Sequence, residues 1–334
     1  MDRVGLCVRA LTETGAGYSN RLFSGHSATL ETMAKIRANP PNNPANYRTK
    51  KPKNQSEIEP QDGVFTLVTY NVKNFFDGEG GSKEKGTGEK PVFEVNALTK
   101  VVQRSGAEVL AAQEVENRSV LQDWNDQRLN GQLPNVALEV GNDKRGINVG
   151  VLSKYPLVKV VTHKQAPLEG DRSFSRDLLR VDLDVQGEIV SIYTTHSHNR
   201  RKDDQAKEAD AQRLAEATAI KSIVTQEMQE FPNRLYVITG DFNDTTEDPA
   251  LQALINGPGD KLMDTLSGQD EKDRVTWPAD KRKAGKFPVG QFDHILIPEK
   301  LKDRLLDSQV LDYDQMTENA SDHKPIRARF RVGS

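Results

Sequence analysis

The chain has 334 residues, of which 35% are hydrophobic and 28% charged, with a formal net charge of -3. That length can bury a substantial core as one large domain or two modest ones, and the near-neutral balance excludes a whole-molecule basic field, so any polyanion must be met locally. A lone Cys7 excludes an internal disulfide framework and a thiolate cluster, and no apolar run reaches the length of a membrane span.

The chain opens on MDRVGLCVRALTETGAGYSN, where Arg3 and Arg9 interrupt any hydrophobic signal region, so the expected location is the cytoplasm. A true start at Met33 would leave secretion open and remove the need to explain the preceding residues. Residues 1–62 are expected to form a weakly ordered arm, because they lack sustained periodicity and end in NPPNNPANYRTKKPKNQ. One short helix is expected within the arm, over LETMAKI from Leu30 to Ile36.

Residues 63–334 are the expected folded domain, and their texture is one of short apolar runs that each end in polar residues, Gly or Pro. In chain order, strands are expected at VFTLVTYNV and EVLAAQEV, with a helix from Phe93 to about Ser105 between them. That helix carries Val95, Leu98, Val101 and Val102 and should close at Gly106. Further strands follow at INVGVLSKY, LLRVDLDV and EIVSIYTTHS. A long helix from about Asp203 to Phe231 repeats Ala206, Ala209, Arg213, Ala217, Ile220, Val224 and Met228 at three- and four-residue steps. LYVITGDFN, QFDHILIP and IRARFRV complete the strands. Many strands with few helices predict an α+β domain of stacked sheets flanked by helices.

The chemistry lies where the strands stop. Asn71, Glu114, His196, Asp241, Asn243, Asp293, Asp322 and His323 all fall at or beside strand ends, where a rigid scaffold can converge them on one sheet edge. Any one of them taken singly reads as a turn or cap residue; the set reads as a site. Magnesium prefers hard oxygen ligands and needs only one to three from the protein, a need that Asn71, Glu114 and Asp322 meet, with manganese as a substitute. Asp241 is the candidate base for an attacking water, and Asn243 can donate its amide to a phosphate oxygen. His196 and His323 are candidate phosphate contacts, with Asp293 placed to orient and charge one of them. A zinc site on His196 and His198 is the competing reading, which the carboxylate and amide company disfavours.

TYNVKNFFD, AAQEVEN, TTHSHNRRK, ITGDFND, FDHILI and SDHKPI, in that order, resemble the successive motifs of the endonuclease/exonuclease/phosphatase superfamily. The resemblance covers Val64 to Val332 and is closest in texture to a bacterial branch whose first motif reads much like NVENLFD. It implies a four-layer αββα sandwich, two mixed β-sheets face to face with helices outside. It also implies Asn71, Glu114 and Asp322 as metal positions, and Asp241 and Asn243 as the water-activating and phosphate-binding pair. His323 with Asp293 behind it, and His196, match the two histidines of the deoxyribonuclease-like and sphingomyelinase-like branches. Arg176 matches a recurrent basic residue placed one strand before His196 and is read as a phosphate contact; a surface ion pair with Asp177 or a neighbour is its bland alternative.

Arg200 and Arg201, in NRRK, are candidate contacts for flanking phosphates, or else part of a solvated charge run. Trp277 is expected to pack beneath its loop or to stack on a base or headgroup, and Lys281, Arg282, Lys283 and Lys286 form a second basic cluster. The loop DGEGGSKEKGTGEK reads as a cover for substrate or as a surface insertion. The expected activity is metal-dependent hydrolysis of a phosphodiester, with DNA or RNA as substrate and no obligate protein partner. Hydrolysis of a phospholipid or inositol phosphate, and a catalytically silent binding module, are the alternatives.

Overall fold

A computed structural model describes residues 61–79, 87–279 and 289–333. The arm, its expected helix, the middle of the loop after Asp77 and the basic cluster from Lys281 to Lys286 lie outside these residues.

Two six-stranded sheets carry the architecture. The first runs β11-β12-β1-β2-β4-β3 and the second β5-β6-β7-β8-β10-β9. Each contains one parallel pair at its centre: β1 (Val64–Phe75) beside β2 (Val109–Val115), and β7 (Glu188–His196) beside β8 (Leu235–Asp241). The other neighbours are antiparallel: β3 (Asn135–Leu138), β4 (Asn148–Ser153), β5 (Leu157–Thr162), β6 (Leu178–Val185), β9 (Leu262–Asp264), β10 (Asp293–Pro298), β11 (Leu305–Val310) and β12 (Ile326–Arg331).

Parallel neighbours need a crossover, and each pair has a helical one: α1 (Val92–Ser105) joins β1 to β2, and α3 (Ala206–Gln229) joins β7 to β8. Between them in sequence comes α2 (Arg118–Arg128); α4 (Pro249–Asn256) and α5 (Gln315–Ala320) complete the helices. Gly106 ends α1 in the left-handed conformation, φ 68°. All but Ala206 of the seven repeating residues named for the long helix are buried.

Strand alternation divides the core into three layers. Phe65, Leu67, Leu179, Val181, Val190, Ile192, Leu235 and Val237 meet between the sheets. Val68, Tyr70, Leu98, Val101 and Trp124 pack the outer face of the first sheet under α1 and α2. Tyr193, Ile220, Val224, Ile238 and Leu254 pack the outer face of the second under α3 and α4. Both sheets are therefore covered on each face, and the fold is the four-layer α+β sandwich of two mixed sheets. The eight expected strands are all present. The four others, β3, β5, β9 and β11, are short or edge strands; β5, for example, is largely exposed at the edge of its sheet.

Candidate active site

The inward-facing positions decide what reaches the open end of the sandwich. Along β1 they run Phe65, Leu67, Thr69, Asn71; along β7, Val190, Ile192, Thr194, His196; along β8, Leu235, Val237, Thr239, Asp241. In each strand apolar residues give way to a hydroxyl and then to a group with chemistry. Gln113 of β2 spans the gap, donating to Thr69 Oγ1 at 3.2 Å and Thr194 Oγ1 at 3.3 Å, which makes a polar floor between the sheets. The antiparallel neighbours arrive with their N-terminal ends at the same edge. Asp293 pairs with Asp241, and Ile326 pairs with Thr69, so Asp322 and His323 enter beside Asn71. Ser321 Oγ fixes that approach by donating to the Asn71 carbonyl at 2.7 Å.

Asp241 is the hub of the resulting cluster. Its Oδ2 accepts from Asn71 Nδ2 at 2.9 Å, a bond that ties one sheet to the other, and its Oδ1 accepts from the Asn243 N–H at 2.9 Å. His196 Nε2 and His323 Nε2 lie 3.5 and 3.7 Å from Asp241 Oδ2. Behind His323, Nδ1 sits 2.8 Å from Asp293 Oδ2. Asn71 Nδ2 also donates to Glu114 Oε1 at 3.2 Å, and the Asn74 N–H donates to Glu114 Oε2 at 2.9 Å. The Ser197 carbonyl accepts from both Arg176 Nη1 at 3.0 Å and Asn243 Nδ2 at 3.2 Å.

The backbone departs from regular geometry at this edge. Lys73, Asn74, Glu114 and Asn243 all hold positive φ, at 53°, 45°, 65° and 55°, a conformation costly for side chains other than glycine. At Glu114 the departure breaks the strand's alternation and lets its carboxylate join Asn71. Gly240, at φ 140°, sits so close to β7 that a Cβ would lie 2.0 Å from the Thr195 carbonyl oxygen.

The two histidines are poised in opposite charge states. Burial works against a charged His323, but Asp293 and Asp241 outweigh it and raise its pKa to about 10. Burial instead dominates at His196, and the nearby Arg176 adds to it, so the pKa falls well below 6.5 and the ring is neutral; its buried Nδ1 has no hydrogen-bond partner. Burial also raises Asp241, to about 7, with His323 pulling the other way and Asp293 adding to the rise.

Arg176 is buried, ion-paired through Nε with Asp143 at 3.0 Å, and lines the cleft. Asp177 turns away to accept from Thr162 Oγ1 and the His163 N–H. Arg200 reaches Asp248 at 2.9 Å and lies over the Phe292 ring in an adjoining lobe of about 360 Å³ that also includes Trp277 and His323. Arg201 pairs with Asp203 and lines neither lobe. Asp322 is half-buried, with its carbonyl accepting from the Ala279 N–H at 2.7 Å; its charge adds to the rise at His323, but it is not among the residues lining the cleft. His198 Nδ1 lies 3.1 Å from Ser175 Oγ, and His294 faces inward to Asp264 and the Asp244 carbonyl, away from the cleft.

Sequence reasoning passed over Asn142, Asp143, Lys144, Arg145 and Ser175, which also line the main cleft of about 570 Å³. The signal for the first four was GNDKRG, a glycine-bounded polar turn carrying two cations between two apolar runs.

The donor set suits a hard cation. Glu114 and Asp241 converge through Asn71, and the buried Asp293 Oδ1 has no hydrogen-bond partner. Asp241, Asp293 and His323 also bring ligand atoms within 4.8 Å of one another, but a protonated imidazole is a poor ligand, which favours a proton-handling role for that trio.

A sandwich of two mixed sheets with this cleft at the ends of its central strands defines the deoxyribonuclease-like class of α+β proteins. The chain belongs to the Endonuclease/Exonuclease/phosphatase family, whose sequence model matches residues 66–301. Truncated Caenorhabditis elegans TDP2 is similar in structure, at 18% identity and a TM-score of 0.57, over 80% of this chain and 98% of that one. D. rerio TDP2 complexed with single strand DNA product is similar at 16% identity and a TM-score of 0.56, over 81% of this chain and 100% of that one. A family protein from Leptotrichia buccalis C-1013-b is similar at 17% identity and a TM-score of 0.55, over 80% and 100%. No curated protein matches the sequence. Among the described residues no helix is long and apolar enough to cross a membrane.

Proposed function

We propose that the protein is a metal-dependent phosphodiesterase that cleaves nucleic acid by in-line attack of water on the scissile phosphate. The observation that carries this reading is the Asp241 cluster: a carboxylate with a pKa of about 7 beside one cationic and one neutral histidine. A base should titrate near the working pH, and a developing phosphorane needs donors already in place.

Asp241 takes the proton from the attacking water. His323 donates from its charged ring to a non-bridging oxygen, and Asp293 keeps that ring charged and aimed. His196, Asn243 and Arg176 donate to the remaining oxygens. Asn71 and Glu114, which the structure brings together, would hold magnesium, or manganese in its place, and the bound ion would neutralise charge on the phosphate. The single-stranded DNA product held by the D. rerio neighbour supports a nucleic-acid substrate, as do Arg200, Trp277 and Phe292 beside His323.

Hydrolysis of supercoiled plasmid, single-stranded RNA and bis-p-nitrophenyl phosphate, each with magnesium, manganese or chelator, tests the reading, with Asp241→Ala as the control for contaminating nuclease. Plasmid nicking should require the ion and should fall by about 10³-fold or more in the variant. Failure on all three substrates, or undiminished activity in Asp241→Ala, would overturn it.

A further inference from the structure

The turn 141–146 between β3 and β4 is bolted to the segment that carries Arg176. The Asn142 N–H donates to the Arg176 carbonyl at 3.2 Å, and Asn142 Nδ2 donates to the carbonyls of Lys164 and Phe174 at 2.8 and 2.9 Å. The Gly141 N–H donates to Asn148 Oδ1 at 2.7 Å, and a Cβ at Gly141 would come within 3.0 Å of Arg176 backbone. Within the turn, Asp143 Oδ1 accepts the Arg145 N–H at 2.8 Å. The loop is therefore a rigid support, suited to presenting charge at a fixed place.

One carboxylate here serves two guanidinium groups. Asp143 pairs with Arg176 Nε at 3.0 Å and with Arg145 Nε at 3.3 Å, and Lys144 is exposed beside it. The next acid along the chain from Arg176, Asp177, is committed to Thr162 and His163. This flank of the cleft thus carries more positive charge than it neutralises. Arg176 is buried at the depth of His196, whereas Arg145 keeps 37% of its side chain exposed at the rim of the same cleft. A cleft of about 570 Å³ holds more than a single phosphate. The two arginines are placed for two anions, one deep and one farther out.

We propose that turn 141–146 forms a second anion subsite, in which Arg145 binds the phosphate flanking the scissile one on a nucleic-acid strand. Asp143 is the positioning residue that sets Arg145 and Arg176 together. This inference rests on the nucleic-acid reading of the site and adds to it a recognition element for chain length.

Calorimetric titration with thymidine 3′,5′-bisphosphate and with each thymidine monophosphate tests it, with magnesium present and the ligands checked for cleavage afterwards. The wild-type protein should bind the bisphosphate at least about tenfold more tightly than the better monophosphate, as a charge-assisted arginine contact implies. Arg145→Gln should bring that ratio close to one. Asp143→Asn keeps the size and the backbone bond but removes the charge, and it should reduce the same ratio while the melting temperature stays near wild type. A purely structural role for Asp143 would weaken both ligands equally and leave the ratio unmoved. A ratio that survives in Arg145→Gln overturns the subsite, as does a wild-type protein that binds the bisphosphate no better or binds neither ligand. Hydrolysis of thymidylyl-thymidine by the same preparation then decides whether the nucleic-acid reading falls with it.

Discussion

Replacing Asp293 by Asn separates the charge of His323 from its placement. The amide keeps the shape and can accept from Nδ1, but it removes the buried anion 2.8 Å away that, with Asp241, holds the ring protonated up to about 10. Burial then meets only Asp241 and Asp322, so the pKa of the ring falls from about 10. At pH 8 nearly every ring is charged in the wild-type protein, and the charged fraction should fall in the variant. We expect kcat/KM at pH 8 to fall by about 30- to 1,000-fold, since a preorganised cationic donor contributes on that scale. The acidic limb should also move down, because Asp293 is one of the charges that raise Asp241. Stability follows the same linkage. A histidine with a raised pKa contributes fully below about 6.5, and the contribution is lost as pH rises through about 10. The variant should therefore lose about 3 kcal/mol near pH 6 and much less at pH 10.5, read from denaturant midpoints. Assays on bis-p-nitrophenyl phosphate from pH 5 to 10.5 with magnesium measure both limbs. Unmoved limbs, or a stability loss that does not depend on pH, would refute this account of His323.

Two further substitutions separate scaffold from chemistry. Gly240→Ala must displace β7 or β8, given the 2.0 Å approach to the Thr195 carbonyl, and should cost about 3 kcal/mol or more in urea unfolding along with most of the activity. His294→Ala breaks a fully buried pair with Asp264, so it should lower stability by about 3 kcal/mol while the protein that remains folded keeps its KM; a rise in KM would show that His294 acts in the cleft after all.

Short runs rich in apolar residues and bounded by polar signals made the interior strands readable, because β1, β6, β8 and β10 are buried on both faces. They did not reveal β3, β5, β9 or β11, which are short strands or lie at the sheet edges. Residues at strand ends were legible as candidates only as a set, since any one of them alone serves equally well as a turn or cap residue. Their partners were not. Arg200 and Arg201 are adjacent in sequence and alike in chemistry, yet Arg200 lies over Phe292 while Arg201 folds back on Asp203. The cation–carboxylate pairing that separates them depends on α4, which places Asp248 beside Arg200. Asp143 was hidden for the same reason, because its meaning lies in Arg176, 33 positions later, and not in the turn that contains it.

The opposite states of the two histidines fit one requirement of the proposed base. A carboxylate between two cationic rings would be held ionised far below neutral pH, and a carboxylate so stabilised has little affinity for a proton taken from water. Here only one ring is charged. His323 owes its charge to Asp293, which sits behind it and repels Asp241, so that carboxylate supplies the cation without surrendering the raised pKa of the base. His196 could have become the second cation, but it is buried against Arg176, and its Nδ1 finds no acceptor. Arg176 therefore does two things from one position. On the proposed mechanism it would offer the scissile phosphate a charge, and it adds to the burial that keeps the neighbouring imidazole neutral.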